Sequence, residues 1–517
     1  MRSGFAPASA VISSETLTYA AYASVAAASA SASVAKTGVV LDFGAGLAGV
    51  VVGTQPTSTK ATARAAADTR AMIHITTDGR APEAHLARSF HMLWVRRPEP
   101  SRWRSYGGKE ITTPEWKSSM NLSGAWQRAA RGAMLLGADG ALKPTIFAEM
   151  SALALSTGAI NLGQGFPDED GPGEVLEAAR KAISDGVNQY PPGIGFPVLR
   201  EAISAHQKRF YDLAPDPDRE VVVTAGATEA LAAAILALIE TGDEVVTFEP
   251  FYDSYAAMIA LSGAVHRTVA LRAPYFQPDH DDLRHAVSDR TRIILINTPH
   301  NPTGAMMGRE TLQLIVELAH KHDAIIVTDE VYEHLTFGQT HVPIATLPGA
   351  WDRTVTISSG GKTFSTTGWK VGWMTGPSDL LQAILAVKQF LTYVNAAPFQ
   401  PAIAVGLGLP DAFFEGVAGV LQQKRDLLSA GLSLAGFTVS ESQASYFVVA
   451  DALPLGFADA AELCRHLPEL AGVVAVPITA FVNDENKSGY ASLVRFAFCK
   501  RAEVLERASA QLAGLAR

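Results

Sequence analysis

Arg292–Gly304 reads RIILINTPHNPTG, and further along the chain Ala324–Tyr332 reads AIIVTDEVY. Each opens on a short apolar, β-branched run and ends on polar residues able to do chemistry. A continuous apolar run of this length suits a strand covered on both faces, the pattern of a parallel sheet. Between them, Arg309–His322 places apolar residues at helical spacing, which predicts a crossover helix.

The same alternation extends in both directions. Glu220–Thr224, Glu244–Phe248, Thr354–Ser358 and Val371–Thr375 predict further strands. Helices are predicted from Gly226 to Ile239 and from Pro250 through Leu261. Strands separated by crossover helices imply an α/β fold, a mostly parallel sheet between helices. Beyond Pro410 a long helix, Phe413–Ala435, and shorter strands predict a second, smaller α+β domain.

Composition narrows the function classes. The 517 residues are 48% hydrophobic and 18% charged, as in a globular protein. The net charge of −9 argues against a general nucleic-acid binder, which carries a basic face. Two cysteines, Cys464 and Cys499, rule out a disulfide framework and predict a reducing, cytoplasmic home. The nearest candidate for a membrane span, Gly38–Gly53, is short, glycine-rich and interrupted by Asp42, so no membrane partner is expected.

Charge is unevenly spread. Residues 1–145 hold 16 Lys/Arg against 9 Asp/Glu, and the remainder 26 against 42. Residues 1–142 are Ala/Ser-rich and then irregular, without sustained periodicity, and are expected to be disordered or loosely helical. They are read as an extension, or as sequence upstream of a true start at Met120 or Met134; a targeting peptide is the weaker alternative.

Three segments carry the chemistry: Asn297–Gly304, Thr328–Tyr332 and Ser358–Trp373 (SSGGKTFSTTGWKVGW). Each begins at the carboxyl end of a predicted strand, where open parallel sheets bind ligands. Gly361-Lys362-Thr363 imitates the end of a nucleotide phosphate loop, but the loop's first glycine is replaced by Thr356. Its acidic strand also precedes the lysine instead of following it. Pyridoxal chemistry uses the same residues better. It needs an amine, a carboxylate for the pyridine nitrogen and donors for a phosphate. Lys362 supplies the amine, Asp329 the carboxylate, and Asn301 and Tyr332 can bond the ring oxygen. Gly226-Ala227-Thr228 opens a helix and suits a phosphate, with Ser359 and Lys370 beside it. His300, His320 and His322 lack metal-ligand company, and no metal is expected.

With Asn161–Pro167 (NLGQGFP), Asn188-Gln189-Tyr190, Glu249–Tyr252 (EPFY) and Val494–Lys500 (VRFAFCK), these segments resemble class I aminotransferases of fold type I, over about residues 143–515. The nearest resemblance is to the kynurenine-aminotransferase branch. It implies a pyridoxal 5'-phosphate enzyme with Lys362 carrying the cofactor as a Schiff base and Asp329 on the pyridinium. Asn301 and Tyr332 would flank the ring oxygen, and Phe251 would stack on the ring. Ala227, Thr228, Ser359 and Lys370 would hold the phosphate, joined by Tyr190 from a neighbouring subunit of a homodimer. Arg495 would clamp the substrate carboxylate, with Asn301 and Gly165 close to it. The resemblance also implies a large domain at 185–410, built on a sheet of the seven-stranded type, and a small one from 143–184 and 411–517.

FAEMSALA (Phe147–Ala154), NLGQGFPDEDGP, NQYPPG and EPFYDSY are most similar to bacterial N-succinyldiaminopimelate aminotransferases of lysine biosynthesis. Their amino donor, with 2-oxoglutarate as acceptor, is the expected substrate pair. Kynurenine, glutamine and methionine aminotransferases and cysteine-conjugate β-lyases share the same cofactor residues and remain alternatives. An aminotransferase-like transcription regulator is the remaining class. The basic extension shows no helix-turn-helix periodicity to support it.

Overall fold

The computed structural model describes residues 71–72, 94–95, 123–137 and 139–516. Ala71–Met72 pairs antiparallel with Trp94–Val95 in a unit of its own, Met1–Ser118. Most of the predicted extension therefore lies outside the described residues. Ser119–Arg517 packs as one compact unit.

An eight-stranded sheet forms the centre of that unit. Its strands are β1 (Val221–Ala225), β2 (Glu244–Glu249), β3 (Val265–Arg272), β4 (Gln277–Pro278), β5 (Thr291–Asn297), β6 (Ile325–Asp329), β7 (Thr354–Ser359) and β8 (Val371–Thr375). The order across the sheet is β1-β8-β7-β6-β5-β2-β3-β4. Neighbours from β7 to β3 run parallel, whereas β8 is antiparallel to both β7 and β1. β4, two residues long and antiparallel to β3, is added at the edge of seven longer strands. The fully buried runs of β2, β6, β7 and β8 explain why these strands read as unbroken apolar or β-branched segments.

β3 was not legible in the sequence. Its residues alternate between exposed and half-buried over VHRT, as a strand near a sheet edge does, and its polar half hides the run.

All strands of this sheet fall between 221 and 375. A second, four-stranded sheet joins Thr438–Val439, Phe447–Asp451, Leu493–Ala497 and Val476–Pro477. Ile160–Asn161 pairs in parallel with Val473–Val474, tying the start of the family-like region to its end. The long helix Asp411–Leu434 packs against Ala502–Leu512 and against this sheet.

Order begins earlier than expected. The expectation of a disordered segment through residue 142 is corrected for its described end, where Ala125–Gly132 forms a helix. It lies on the helix Asp253–Ser262, and Arg128 donates to the Leu261 carbonyl at 3.3 Å. Gly132 makes the approach possible, since a Cβ there would overlap the Ala256 carbonyl and sit 2.6 Å from Ala260 Cβ. Two turns with a strongly basic face carry too little apolar period to be read as a core element.

Gly132→Leu tests this packing. Helix propensity favours the change, but overpacking dominates and is expected to destabilise by about 1–3 kcal/mol. Thermal unfolding of the variant should show a lower Tm; an unchanged or raised Tm would mean the helix is not seated on Asp253–Ser262.

Candidate active site

The carboxyl ends of β5, β6 and β7 deliver Asn297, Asp329 and Ser359 to one cavity. The ladder pairs Asn297 with Asp329 and Asp329 with Ile357, so the three chains emerge side by side. Asn297 Nδ2 donates to the Asp329 carbonyl at 2.8 Å and fixes the junction. The cavity encloses about 730 Å³, part of it open to solvent.

Asp329 is buried, and its Oδ2 accepts from Tyr255 Oη at 2.7 Å. The Val331 N–H reaches Oδ1 at 3.4 Å. Burial pushes the carboxyl pKa up, while the Tyr255 and Val331 donors and the nearby Lys362 pull it down. No Lys or Arg forms an ion pair with it among the described residues. Its charge is therefore open to a cationic partner inside the cavity.

Lys362 sits on the four-residue helix Gly360–Thr363 that follows β7. Its Nζ donates to Tyr446 Oη at 2.9 Å, and Tyr446 in turn donates to the Gly165 carbonyl at 2.6 Å. Burial pulls the Lys362 ammonium down to about 8; Cys499 and Asp329 oppose this, and Lys370 and Arg495 reinforce it. An amine so placed is partly neutral near physiological pH and can act as a nucleophile or base.

At the other end of the cavity the helix Gly226–Leu238 begins without a side-chain cap. Gly226, Ala227 and Thr228 line the cavity there, and Gly226 holds φ 72°, a left-handed value that suits glycine. Lys370 Nζ lies 3.4 Å from Thr228 Oγ1. Ser359 and Thr367 complete this end. Free helical N–H groups, hydroxyls and an ammonium together make an anion site.

Arg495 is fully buried on the strand Leu493–Ala497. Its Nη1 donates to Asn301 Oδ1 at 3.0 Å and its Nη2 to the Gly163 carbonyl at 2.7 Å. Its Nε has no partner. The guanidinium faces the Phe447 and Phe481 rings at 4.2 and 4.8 Å. Burial lowers its pKa to about 10, so it stays cationic at neutral pH. Asn301 lines the cavity, with its own N–H on Asn297 Oδ1 at 2.7 Å.

Of the residues singled out from sequence, Ala227, Thr228, Asn301, Asp329, Tyr332, Ser359, Lys362 and Lys370 line one cavity. Arg495 reaches it through Asn301, and Gly165 through Tyr446 and Lys362. Two residues do not join them. Phe251 is corrected: it is buried in the core with its ring 5.0 Å from His266, and its neighbour Tyr252 lines the cavity instead. Successive residues of extended chain point to opposite sides, so a one-residue slip exchanges core for site. Tyr190 is 80% exposed and rests against Tyr393 on the surface. Tyr255 and Tyr446, which hold Asp329 and Lys362, were missed: Tyr255 closes the EPFYDSY segment and Tyr446 stands just before the strand Phe447–Asp451, and nothing local marks either as a site residue.

Pyridoxal 5'-phosphate fits these residues. The uncapped helix start with Lys370 suits the phosphate, Asp329 keeps a carboxylate for the ring nitrogen, and Lys362 offers the amine. A planar ring has Tyr252 on the cavity wall to lie against.

The family model for class I and II aminotransferases matches residues 157–512. A probable N-succinyldiaminopimelate aminotransferase of Mycobacterium tuberculosis is 50% identical over 384 residues, 72% of this chain and 96% of that protein. Mouse kynurenine–oxoglutarate transaminase 3 is 37% identical over 71% of this chain and 87% of its own length. The crystal structure of an Escherichia coli protein with methionine aminotransferase function is 38% identical, with a TM-score of 0.69 over 72% of this chain and 97% of that one. With a family match over this span and relatives of this identity, the chain belongs to the class I and II aminotransferases, which are dependent on pyridoxal phosphate.

Proposed function

We propose that the chain moves the amino group of N-succinyl-diaminopimelate to 2-oxoglutarate. Arg495 carries the reading of an α-amino acid site: a buried guanidinium whose Nε lacks a partner sits behind Asn301, placed for a two-pronged bond to a carboxylate. The choice of donor is supported by the 50% identity to the mycobacterial enzyme, against 38% and 37% for relatives named for methionine and kynurenine. Those two donors form the second reading.

Pyridoxal phosphate, when bound, supplies an electron sink for breaking the Cα–H bond. The chain's own residues do the rest. Ala227, Thr228, Ser359 and Lys370 hold the phosphate by N–H, hydroxyl and ammonium donors. Asp329, fixed by Tyr255, keeps the ring nitrogen protonated. Tyr332, whose phenol burial holds well above its ordinary pKa, remains a neutral donor to the ring oxygen beside Asn301. Lys362 Nζ carries the proton between Cα and the cofactor carbon, a general-base role that needs a pKa near working pH.

The proposed bounds are 185–410 for the large domain and 143–184 with 411–517 for the small one; the residues that line the cavity all fall in 185–410. A homodimer is supported by exposed aromatic residues: Tyr190 meets Tyr393, which is 53% exposed, and Phe390, three residues before Tyr393, is 84% exposed. In that dimer Tyr190 reaches the phosphate of the partner. A cytoplasmic location is supported by two free, buried cysteines and checked by cell fractionation. Among the described residues no single helix is long and apolar enough to cross a membrane.

Visible absorbance of the cofactor-loaded enzyme should change fastest on adding N-succinyl-diaminopimelate among a panel with kynurenine, methionine and glutamate. Lys362→Ala should lose turnover entirely with its fold intact; a methionine- or kynurenine-first order would replace the donor assignment. In cofactor-free enzyme the rate of covalent cofactor capture should rise with pH and level off above about 8, because only the neutral amine attacks. A rate independent of pH through that range would remove Lys362 as the titrating nucleophile. Sedimentation should give twice the chain mass, and Tyr190→Phe should weaken phosphate-dependent cofactor retention by about 1 kcal/mol, several-fold in Kd, while the mass is kept. A monomer with unaltered retention would end the shared-site proposal.

A further inference from the structure

Directly after Tyr332 the chain continues with Glu333 and His334, which reach a second cluster that aminotransfer does not use. His334 Nε2 lies 2.6 Å from Nε2 of His206, on the helix Pro197–Tyr211. One ligand atom from each of His206, Glu333 and His334 falls within 4.8 Å of the others. Glu333 accepts from Ser358 Oγ at 2.5 Å, next to the phosphate residue Ser359. The His206 Nδ1 is buried without a partner. Phe210 and Phe414 close the cluster, their ring centroids 4.7 and 4.4 Å from that of His334.

Its charges do not balance. Glu333 and Glu330 are both buried, and neither forms a salt bridge to Lys or Arg among the described residues. Glu330 is held by Thr328 at 2.9 Å and by His341 Nε2 at 2.7 Å. The guanidinium of Arg209 lies over the Phe210 ring at 4.7 Å and is paired to Asp411. Two buried carboxyls thus stand with two imidazoles whose Nε2 atoms face each other and a His206 Nδ1 that is unpartnered, a donor set that suits a cation.

We propose that His206, Glu333 and His334 bind one divalent transition-metal ion of the zinc class, clasping the helix Pro197–Tyr211 to the turn that carries Tyr332. The donor set decides the class: two imidazole nitrogens and a carboxylate suit zinc, whereas magnesium and calcium take oxygen ligands. Zinc bonds of about 2.0–2.1 Å in a tetrahedron put ligand atoms roughly 3.3 Å apart, so the two Nε2 atoms separate by less than ~1 Å on binding. His334 is only half-buried and leaves a route for the ion and for a water ligand. The competing occupant is a single proton shared by the two imidazoles.

Untagged full-length enzyme with its cofactor, stripped by a chelator, is titrated with Zn²⁺ against a chromogenic competitor and scanned for thermal unfolding. One zinc per chain should bind, with a rise in Tm that magnesium does not produce. His206→Gln with His334→Gln should lose this zinc by more than about 100-fold in affinity, since even outer partners of a metal ligand are worth 10–100-fold. Retained cofactor absorbance shows that the double variant is folded. Glu333→Gln, which keeps the side-chain shape, should weaken binding alone. Equal zinc affinity in wild type and double variant, or zinc binding without a change in Tm, would overturn the site and leave the proton-sharing pair.

Discussion

Asp329 is the constraint around which the active centre is arranged. A carboxylate removed from water is costly unless its oxygens are bonded, and one such bond to a charged acceptor contributes about 1.5–3 kcal/mol. Tyr255 provides it from a helix, Val331 from the following turn, and Asn297 anchors the backbone carbonyl behind it. That supply exists only because β5, β6 and β7 run parallel and in register, ending at the same edge. An antiparallel neighbour at β6 would send Asn297 or Ser359 to the opposite edge and break the site.

The second dependence runs between the two sheets. Lys362, on the large sheet, bonds Tyr446, which stands one residue before a strand of the small sheet and bonds Gly165. Arg495, within the small sheet, bonds Asn301 of the large one and Gly163 of the segment ahead of both. Each reacting group is thus positioned by a partner from elsewhere in the chain. Small shifts between the sheets therefore move the Arg495 guanidinium and the Lys362 amine together.

What could be read from sequence follows the physics of each residue. Lys362, Asp329 and Asn301 stand where apolar strands stop and polar residues begin, a local signal that survives without a structure. Tyr255 and Tyr446 have no such signal, because their importance comes from partners 74 and 84 residues away. Phe251 and Tyr252 are both aromatic, and nothing local says which of two adjacent rings faces the cavity. β3 was lost because its edge-side residues are polar. His206 and His334 were not singled out; 128 residues separate them, and only the packing of the helix Pro197–Tyr211 on the turn after β6 makes them neighbours.

The amine at Lys362 is governed by the same bookkeeping of water and charge. Burial favours the neutral form, whereas an adjacent carboxylate favours the ammonium. Were Asp329 paired directly with Lys362, the ammonium would win and the lysine would be inert as a base. Instead Asp329 is engaged by Tyr255, and Lys362 points its hydrogen bond at Tyr446, a neutral oxygen. Lys370 and Arg495 add like charge nearby. Desolvation therefore outweighs attraction and leaves the amine near 8, able to take a proton and return it. The two missed tyrosines do this work: by occupying the partners that Asp329 and Lys362 would otherwise find in each other, they keep acid and base apart in one dry cavity.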